Sequence, residues 1–85
     1  MEVKPSFNLD VSGAHKLEEM LADADGDVVV NLDACNFVAS SGLRILLKVA
    51  QRIGKTGGKL TVVNANDTIR EVFRISGFAG VVTIE

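Results

Sequence analysis

The sequence predicts an α/β fold in one domain over residues 1–85, with a mostly parallel sheet of four strands and about three main helices. Short apolar runs rich in β-branched residues alternate along the chain with longer stretches of helical periodicity. The connections are short, as expected where each helix returns the chain to start another parallel strand. A chain of 85 residues, 47% of them hydrophobic, can build one small core and no more.

Four segments have the composition of strands. Val28–Leu32 is the clearest, because its three consecutive valines suit a strand that is covered on both faces of a parallel sheet. Lys59–Val63 and Val81–Ile84 follow it along the chain. Phe7–Leu9 alternates and predicts a short, irregular first strand, which Pro5 limits to an edge position.

Three segments have helical periodicity. The first begins at Ser12, a predicted N-cap, and ends at Gly26. The second follows a serine pair, and its apolar stripe from Leu43 to Ile53 lies opposite a cationic face. The third is capped within residues 64–67 and stops within residues 76–78.

Composition and charge narrow the class of protein. The formal net charge of -2 is unfavourable for nucleic-acid binding, which needs clustered Lys and Arg. The single Cys35 excludes an internal disulfide, and neither a signal peptide nor a membrane-spanning run is apparent. We therefore expect a cytoplasmic protein with no nucleic-acid partner and no membrane insertion. One cationic group, which we interpret as a solvated helix face, consists of Arg44, Lys48, Arg52 and Lys55.

Residues for catalysis or cofactor binding are sparse. His15 is the only histidine and has no nucleophile motif around it, while the glycine pair Gly57–Gly58 precedes a strand and cannot form a phosphate-binding loop before a helix. Metal-ligand spacing is absent, and Cys35 fits a small semi-buried residue better than a nucleophile. We predict a protein that is not an enzyme and that needs no cofactor and no metal.

A binding surface is expected at the carboxyl edge of the sheet, where the loops that enter the helices meet. These loops, at residues 10–13, 33–41 and 64–67, are rich in Asp, Asn and Ser and contain no basic residue. Phe37 and Val38 are expected to pack inward just before the serines. Residue chemistry alone favours helix capping as the role of these polar side chains, although one serine would suffice where the chain has both Ser40 and Ser41.

The stretch Phe37–Leu47, with the sequence FVASSGLRILL, resembles the corresponding segment of STAS domains, the anti-sigma factor antagonist family. The resemblance extends to segments 27–32, 57–64 and 69–78 in the same order, and it covers about residues 10–85. It implies a cytoplasmic, bacterial signalling protein that regulates transcription by binding an anti-sigma factor or serine kinase. It also implies release on serine phosphorylation and recovery by a partner phosphatase.

The resemblance implies Ser41, ahead of Ser40, as the phosphorylated residue. Ser40 is then the expected N-cap and Ser41 the exposed hydroxyl, beside a Gly42 that leaves room for a partner. The family often has Asp where this chain has Ala39. That departure favours an alternative, in which the protein is a non-phosphorylated STAS adaptor subunit of a transport or signalling assembly.

The N-terminal region is shorter than the family's usual pair of strands, and the resulting open sheet edge allows a weak homodimer. The partner itself is expected to bind at the carboxyl edge. The residues predicted to contact it are Asp10, Ser12, Asp33, Asn36, Ser40, Ser41, Gly42, Arg44, Ile45, Asn64 and Asp67.

Overall fold

A computed structural model describes residues 1–77 and 80–85 and confirms the predicted fold class. Within those residues, four parallel strands are ordered β1-β2-β3-β4, and a helix follows each of the first three. The elements are β1 Glu2–Val3, α1 Val11–Met20, β2 Val28–Asn31, α2 Ser40–Gly54, β3 Leu60–Val63, α3 Asp67–Ser76 and β4 Thr83–Ile84.

The sheet is covered on one face only, so the prediction that β2 is covered on both faces is wrong. Val28 and Val30 are fully buried, whereas Val29 between them is half-buried. Leu60 and Val62 are buried in the same register on β3, directly opposite those valines. Right-handed crossovers between strands in sequential order carry successive helices to the same face, which explains the alternation.

The first strand lies at Glu2–Val3 rather than at the predicted Phe7–Leu9. Glu2 pairs with Val29 and Val3 with Val30, and the pairing ends before Pro5, which has no N–H to donate. Leu9 instead forms a single parallel bridge to Val38. The first strand is therefore short, as predicted, but it is displaced toward the N-terminus.

Among residues 1–77 and 80–85, the buried core contains one aromatic ring and is otherwise built mainly from aliphatic side chains. Phe73 of α3 is fully buried, and α2 contributes both the predicted stripe and Val49, which the sequence placed at its flank. Leu47, predicted within that stripe, is half-buried. The largest fully buried side chains are Phe73, Leu9, Leu17, Leu21, Leu32, Leu46, Ile53, Leu60, Ile69, Val28, Val30 and Val62.

Both predicted boundaries of α1 are wrong. Its N-cap is Asp10, whose carboxylate accepts from the amide of Gly13 at 2.7 Å, and Ser12 lies inside the helix. An aspartate at the true cap position satisfies the first turn better than a serine that is two residues too late. The helix ends at Met20 with Leu21 as its C-cap, well before Gly26, although Gly26 does have the left-handed φ of 69°.

The boundaries of α3 agree with the prediction where they can be compared. Asn66 caps the start through an acceptor contact to the amide of Ile69 at 2.8 Å. Gly77 ends the helix with φ 77°, a conformation that glycine adopts without steric cost. The predicted stop also includes Phe78, which lies outside the described residues.

Two residues of the cationic group, Lys48 and Arg52, contact α1 or the residues just after it. The ammonium group of Lys48 donates to the carboxylate of Glu18 at 2.8 Å, and the Arg52 guanidinium donates to the carbonyls of Leu21 and Ala24. These cations therefore bind the neighbouring helix in addition to facing solvent. Across residues 1–77 and 80–85, no helix combines the length and apolarity that a membrane span requires.

Candidate partner-binding site

The loop before α2 is tied to the segment before α1. Backbone bonds run from the amide of Leu9 to the carbonyl of Phe37 at 2.9 Å, and from the amide of Ala39 to the carbonyl of Leu9 at 2.8 Å. Together with the bridge between Leu9 and Val38, they form a short parallel ladder outside the four strands of the sheet. This ladder fixes the entry of the chain into α2, where the serine pair lies.

Asparagine side chains connect the loops at this edge, and all five asparagines of the sequence lie there. Asn8 accepts from the amide of Asn36 at 2.9 Å, and Asn64 donates to Asn31 at 3.2 Å. Asn66 donates a longer bond, 3.5 Å, to the carbonyl of Asn36. Sequence reasoning missed Asn8, Asn31 and Asn66, although the restriction of asparagine to these loops was a signal for them.

Neither serine has the role that was predicted for it. The N-cap of α2 is Ala39, which makes no side-chain capping bond, so Ser40 is the first helical residue and is exposed. Ser41 is half-buried, and its hydroxyl oxygen has less than 1 Å² of exposed surface and no hydrogen-bond partner. The expectations that Ser40 is the N-cap and that Ser41 presents an exposed hydroxyl are both wrong, because the helix begins at Ser40 itself, one residue earlier than a Ser40 cap would require.

Gly42 is buried, and its lack of a side chain serves the packing of the fold. A Cβ atom at this position would lie 2.8 Å from the Cβ of Leu9 and 2.9 Å from its carbonyl oxygen. The absence of a side chain therefore lets α2 approach the ladder segment closely. This packing accounts for the glycine, and contact of Gly42 with a partner stays a prediction.

The other predicted contact residues lie at or near the surface. Ile45 is half-buried on α2, packed against the core cluster. Asp10 is exposed even though its carboxylate caps α1. The remaining exposed members of the predicted set are Ser12, Asp33, Asn36, Ser40, Arg44, Asn64 and Asp67.

The surface around Ser40 is less acidic and more apolar than predicted. Lys4 reaches Asp33 at 3.5 Å and partly neutralises it. Phe37, expected to pack inward, is 52% exposed, and Val11 at the start of α1 is 76% exposed. No feature of the sequence indicated that the Phe37 side chain points outward. Its orientation follows from the pairing of Val38 with Leu9, because neighbouring residues of an extended segment point to opposite sides.

The described residues offer little for chemistry at this edge. Cys35 is buried, and its thiol donates to the carbonyl of Phe37 at 3.2 Å, a structural contact. Within residues 1–77 and 80–85, no three His, Cys, Asp or Glu side chains are grouped to hold a metal ion. An open depression of about 500 Å³ lies between α3 and β4, and Asp67 links its lining to the carboxyl edge. In that lining, the Arg74 guanidinium hydrogen-bonds to Glu71 and lowers the pKa of that carboxyl.

The fold and this edge define a class of protein. The family model described as the STAS domain matches residues 3–85, nearly the whole chain. The chain therefore belongs to the STAS domain family.

Individual relatives agree with this assignment. The anti-sigma-B factor antagonist of Staphylococcus aureus is 30% identical over 80 residues, which make up 89% of this chain and 74% of that protein. BtrV of Bordetella bronchiseptica, named as a candidate anti-sigma factor antagonist, is 36% identical over 74 residues. The match covers 82% of this chain but only 64% of BtrV.

Solved structures show the same fold at low sequence identity. The unphosphorylated anti-sigma factor antagonist SpoIIAA superposes with a TM-score of 0.82 at 19% identity, over 99% of this chain and 77% of SpoIIAA. The crystal structure of TM1081 from Thermotoga maritima, a candidate anti-sigma factor antagonist, gives a TM-score of 0.88 at 18% identity. That match covers 98% of this chain and 75% of TM1081.

Proposed function

We propose that this protein is a non-catalytic anti-sigma factor antagonist, which binds an anti-sigma factor with serine kinase activity and is released when phosphorylated. The observation that carries the proposal is the exposed hydroxyl of Ser40 at the start of α2, on the edge where the loops meet. Membership of the STAS family and the names of the relatives support the choice of partner.

Ser40 is the phosphate acceptor in this proposal. Phosphoryl transfer requires the attacking oxygen to lie in line with the γ-phosphate, so the hydroxyl must enter the kinase active site. Ser40 is exposed, whereas the hydroxyl oxygen of the half-buried Ser41 is buried. The geometry therefore supports Ser40 over Ser41, the residue that the resemblance favoured.

The phosphate acts on binding through charge and bulk. The Ser40 oxygen bonds to the γ-phosphorus of ATP on the kinase, its proton passes to a base of the kinase, and ADP leaves. The product carries about -1.5 to -2 charges at neutral pH. A partner packed on the apolar Phe37 and on Ser40 would have to desolvate that group, which costs several kcal/mol. Because phosphate monoesters hydrolyse extremely slowly without a catalyst, recovery requires a phosphatase.

The proposal is tested by affinity capture from the source cells with matched baits. The baits are the unmodified protein, the protein made with phosphoserine at position 40, and Lys55→Glu. The last variant changes the charge by a similar amount at the opposite end of α2. We expect the unmodified protein and Lys55→Glu to retain a protein that binds a sigma factor, and the phosphoserine form not to retain it.

The captured protein with ATP then identifies the acceptor. Ser40→Ala should abolish phosphate incorporation, whereas Ser41→Ala should retain it, as measured by intact-mass spectrometry. Equal retention of the captured protein by the unmodified and phosphoserine baits, with no phosphate incorporated, would contradict the switch. That result would favour the permanently docked adaptor, the reading to which Ala39 points.

A further inference from the structure

The strand β4 forms one edge of the sheet. In the order β1-β2-β3-β4, β3 lies on one side of β4 and no described strand lies on the other. The amide of Glu85 donates to the carbonyl of Val62, so the neighbouring N–H and C=O of Ile84 point away from β3. A strand edge with outward backbone groups is a template for pairing with another extended segment.

A groove runs along this edge, and it is the open depression of about 500 Å³ between α3 and β4. Its lining includes the buried Phe73 and the half-buried Ile84, which packs against the core cluster. Sites for small molecules enclose most of the surface of their ligand, and a depression this open does not. An extended segment along β4 fits better, because it gains backbone hydrogen bonds as well as apolar contact.

Two arginines of α3 line the groove. Arg70 and Arg74 are four residues apart and therefore share a face of the helix. Arg70 is exposed and forms no ion pair with a described residue, whereas Arg74 is paired with Glu71. The other carboxylate in the lining, Asp67, lies in the first turn of α3, where the helix dipole favours a negative charge. An incoming carboxylate is therefore attracted to the arginines and repelled at the Asp67 end.

A second copy of the chain fits the groove less well than a partner of opposite charge. Pairing of two β4 edges about a twofold axis would place the same surface on both sides of the interface. Arg70 and Arg74 would then face their own counterparts, and like charges at an interface are unfavourable. The charge of the groove therefore favours an acidic segment from a different protein.

We propose that this groove binds an extended acidic segment of another protein, which adds a strand to the edge of β4. An apolar side chain of that segment covers Ile84. A carboxylate two residues away lies on the same face of the added strand and meets Arg70 and Arg74. Among the residues that line the groove, only Asp67 belongs to the predicted anti-sigma factor contacts, so the inference does not depend on the proposed function.

The test selects random peptides displayed on phage against the full chain. The enriched peptides should carry Asp or Glu two positions from an apolar residue. Made synthetically, they should bind Arg70→Gln and Arg74→Gln at least about tenfold more weakly than the unmodified protein, because each variant loses a charge-assisted hydrogen bond. Lys55→Gln, an exposed change at the end of α2, should bind them with unchanged affinity.

Amide chemical shifts of the isotope-labelled protein locate the bound peptide. Binding should shift the signals of Ile84 and of α3 and leave those of Val11 and Phe37 unchanged. N-methylation of the peptide at the residues whose backbone faces β4 should abolish binding, since those N–H groups would pair with the strand. Methylation at the alternate residues should preserve it, which provides the matched control.

Three results would overturn the proposal. The first is a selection that enriches no peptide, or only peptides without an acidic residue. The second is binding that is unaffected in both Arg70→Gln and Arg74→Gln, or that shifts the signals of Val11 and Phe37 in place of Ile84. The third is a dimer of the unmodified protein whose formation shifts Ile84 and α3, because a second copy would then occupy the groove.

Discussion

Gly42 is the residue at which the start of α2 tolerates least change. A Cβ atom there would meet Leu9 at 2.8 Å, in a segment that is itself held by the ladder to Phe37 and Ala39. We predict that Gly42→Ala lowers the free energy of unfolding by about 1–3 kcal/mol, the usual cost of overpacking. Urea denaturation measures the loss.

Gly54 provides the matched control at the far end of the same helix. A Cβ atom there meets no other atom within 4 Å. Gly54→Ala should be neutral or stabilise the protein by up to about 1 kcal/mol, because alanine has less backbone entropy to lose. If both substitutions had the same effect, the close approach of α2 to Leu9 would not be the reason for glycine at position 42.

The roles of individual polar residues were the hardest feature to predict from the sequence. Both serines before α2 are chemically suitable caps, and Ser12 is as suitable as Asp10. The cap position is decided by where the backbone leaves the extended conformation, at Ala39 and at Asp10. That point depends on tertiary pairing with the ladder, which no local pattern encodes. Residue types therefore indicated the edge at which we propose the site, while the tertiary fold decided which serine is exposed.

Arg52 links α2 to the segment that follows α1. Arg52 donates to the carbonyls of Leu21 and Ala24, which lie just beyond the end of α1. A cation at the end of a helix satisfies carbonyls that have no intrahelical partner and interacts favourably with the helix dipole. Arg52→Met keeps the apolar stem but removes the donors.

We predict that Arg52→Met lowers the free energy of unfolding by about 1–2 kcal/mol, measured by urea denaturation. Lys55→Met, an exposed change one turn further along, should stay within about 0.5 kcal/mol of wild type. Equal losses in the two variants would mean that general charge, rather than the carbonyl contacts, sets the contribution of Arg52.

The second contact between these helices should make stability depend on pH. The Lys48 ammonium hydrogen-bonds to Glu18 and holds the pKa of that carboxyl below its ordinary value. A lowered folded-state pKa contributes stability at neutral pH that is lost as the pH falls through it.

Glu18→Gln should therefore be slightly less stable than wild type at pH 7, and the two should converge in urea midpoint as the pH falls below about 4. The difference at pH 7 should also shrink in 1 M salt, because exposed charges are screened. A constant difference between the two proteins from pH 7 to pH 3 would contradict a role for the ion pair.

At the scale of the whole domain, alternating apolar runs and helical stretches were enough to predict a parallel α/β fold. The sequence did not predict the single covered face of the sheet. Three consecutive valines suit burial on both faces, yet Val29 is half-buried because sequential strand order places the helices together. The sequence-based prediction also placed β1 at the wrong residues. Pairing of Glu2–Val3 with β2 is a contact between residues far apart in the chain, and no local pattern indicates it.

The ladder, the asparagine contacts and the first turn of α2 all lie at the carboxyl edge of the sheet. The ladder and the asparagine contacts hold the loop before α2, and the first turn of α2 presents Ser40 beside the exposed ring of Phe37. A phosphate on Ser40 changes the charge and bulk of that surface without requiring the core to rearrange. We therefore predict that phosphorylation of Ser40 weakens partner binding and leaves the protein folded.

The most direct measurement is the affinity of the captured, purified anti-sigma factor for the unmodified protein, the phosphoserine-40 form and Ser41→Ala, by titration calorimetry. We predict that the phosphoserine form loses affinity by about 100-fold or more, equivalent to about 2.7 kcal/mol, and that Ser41→Ala changes affinity by less than about threefold. Equal affinity for the unmodified and phosphoserine forms would contradict it.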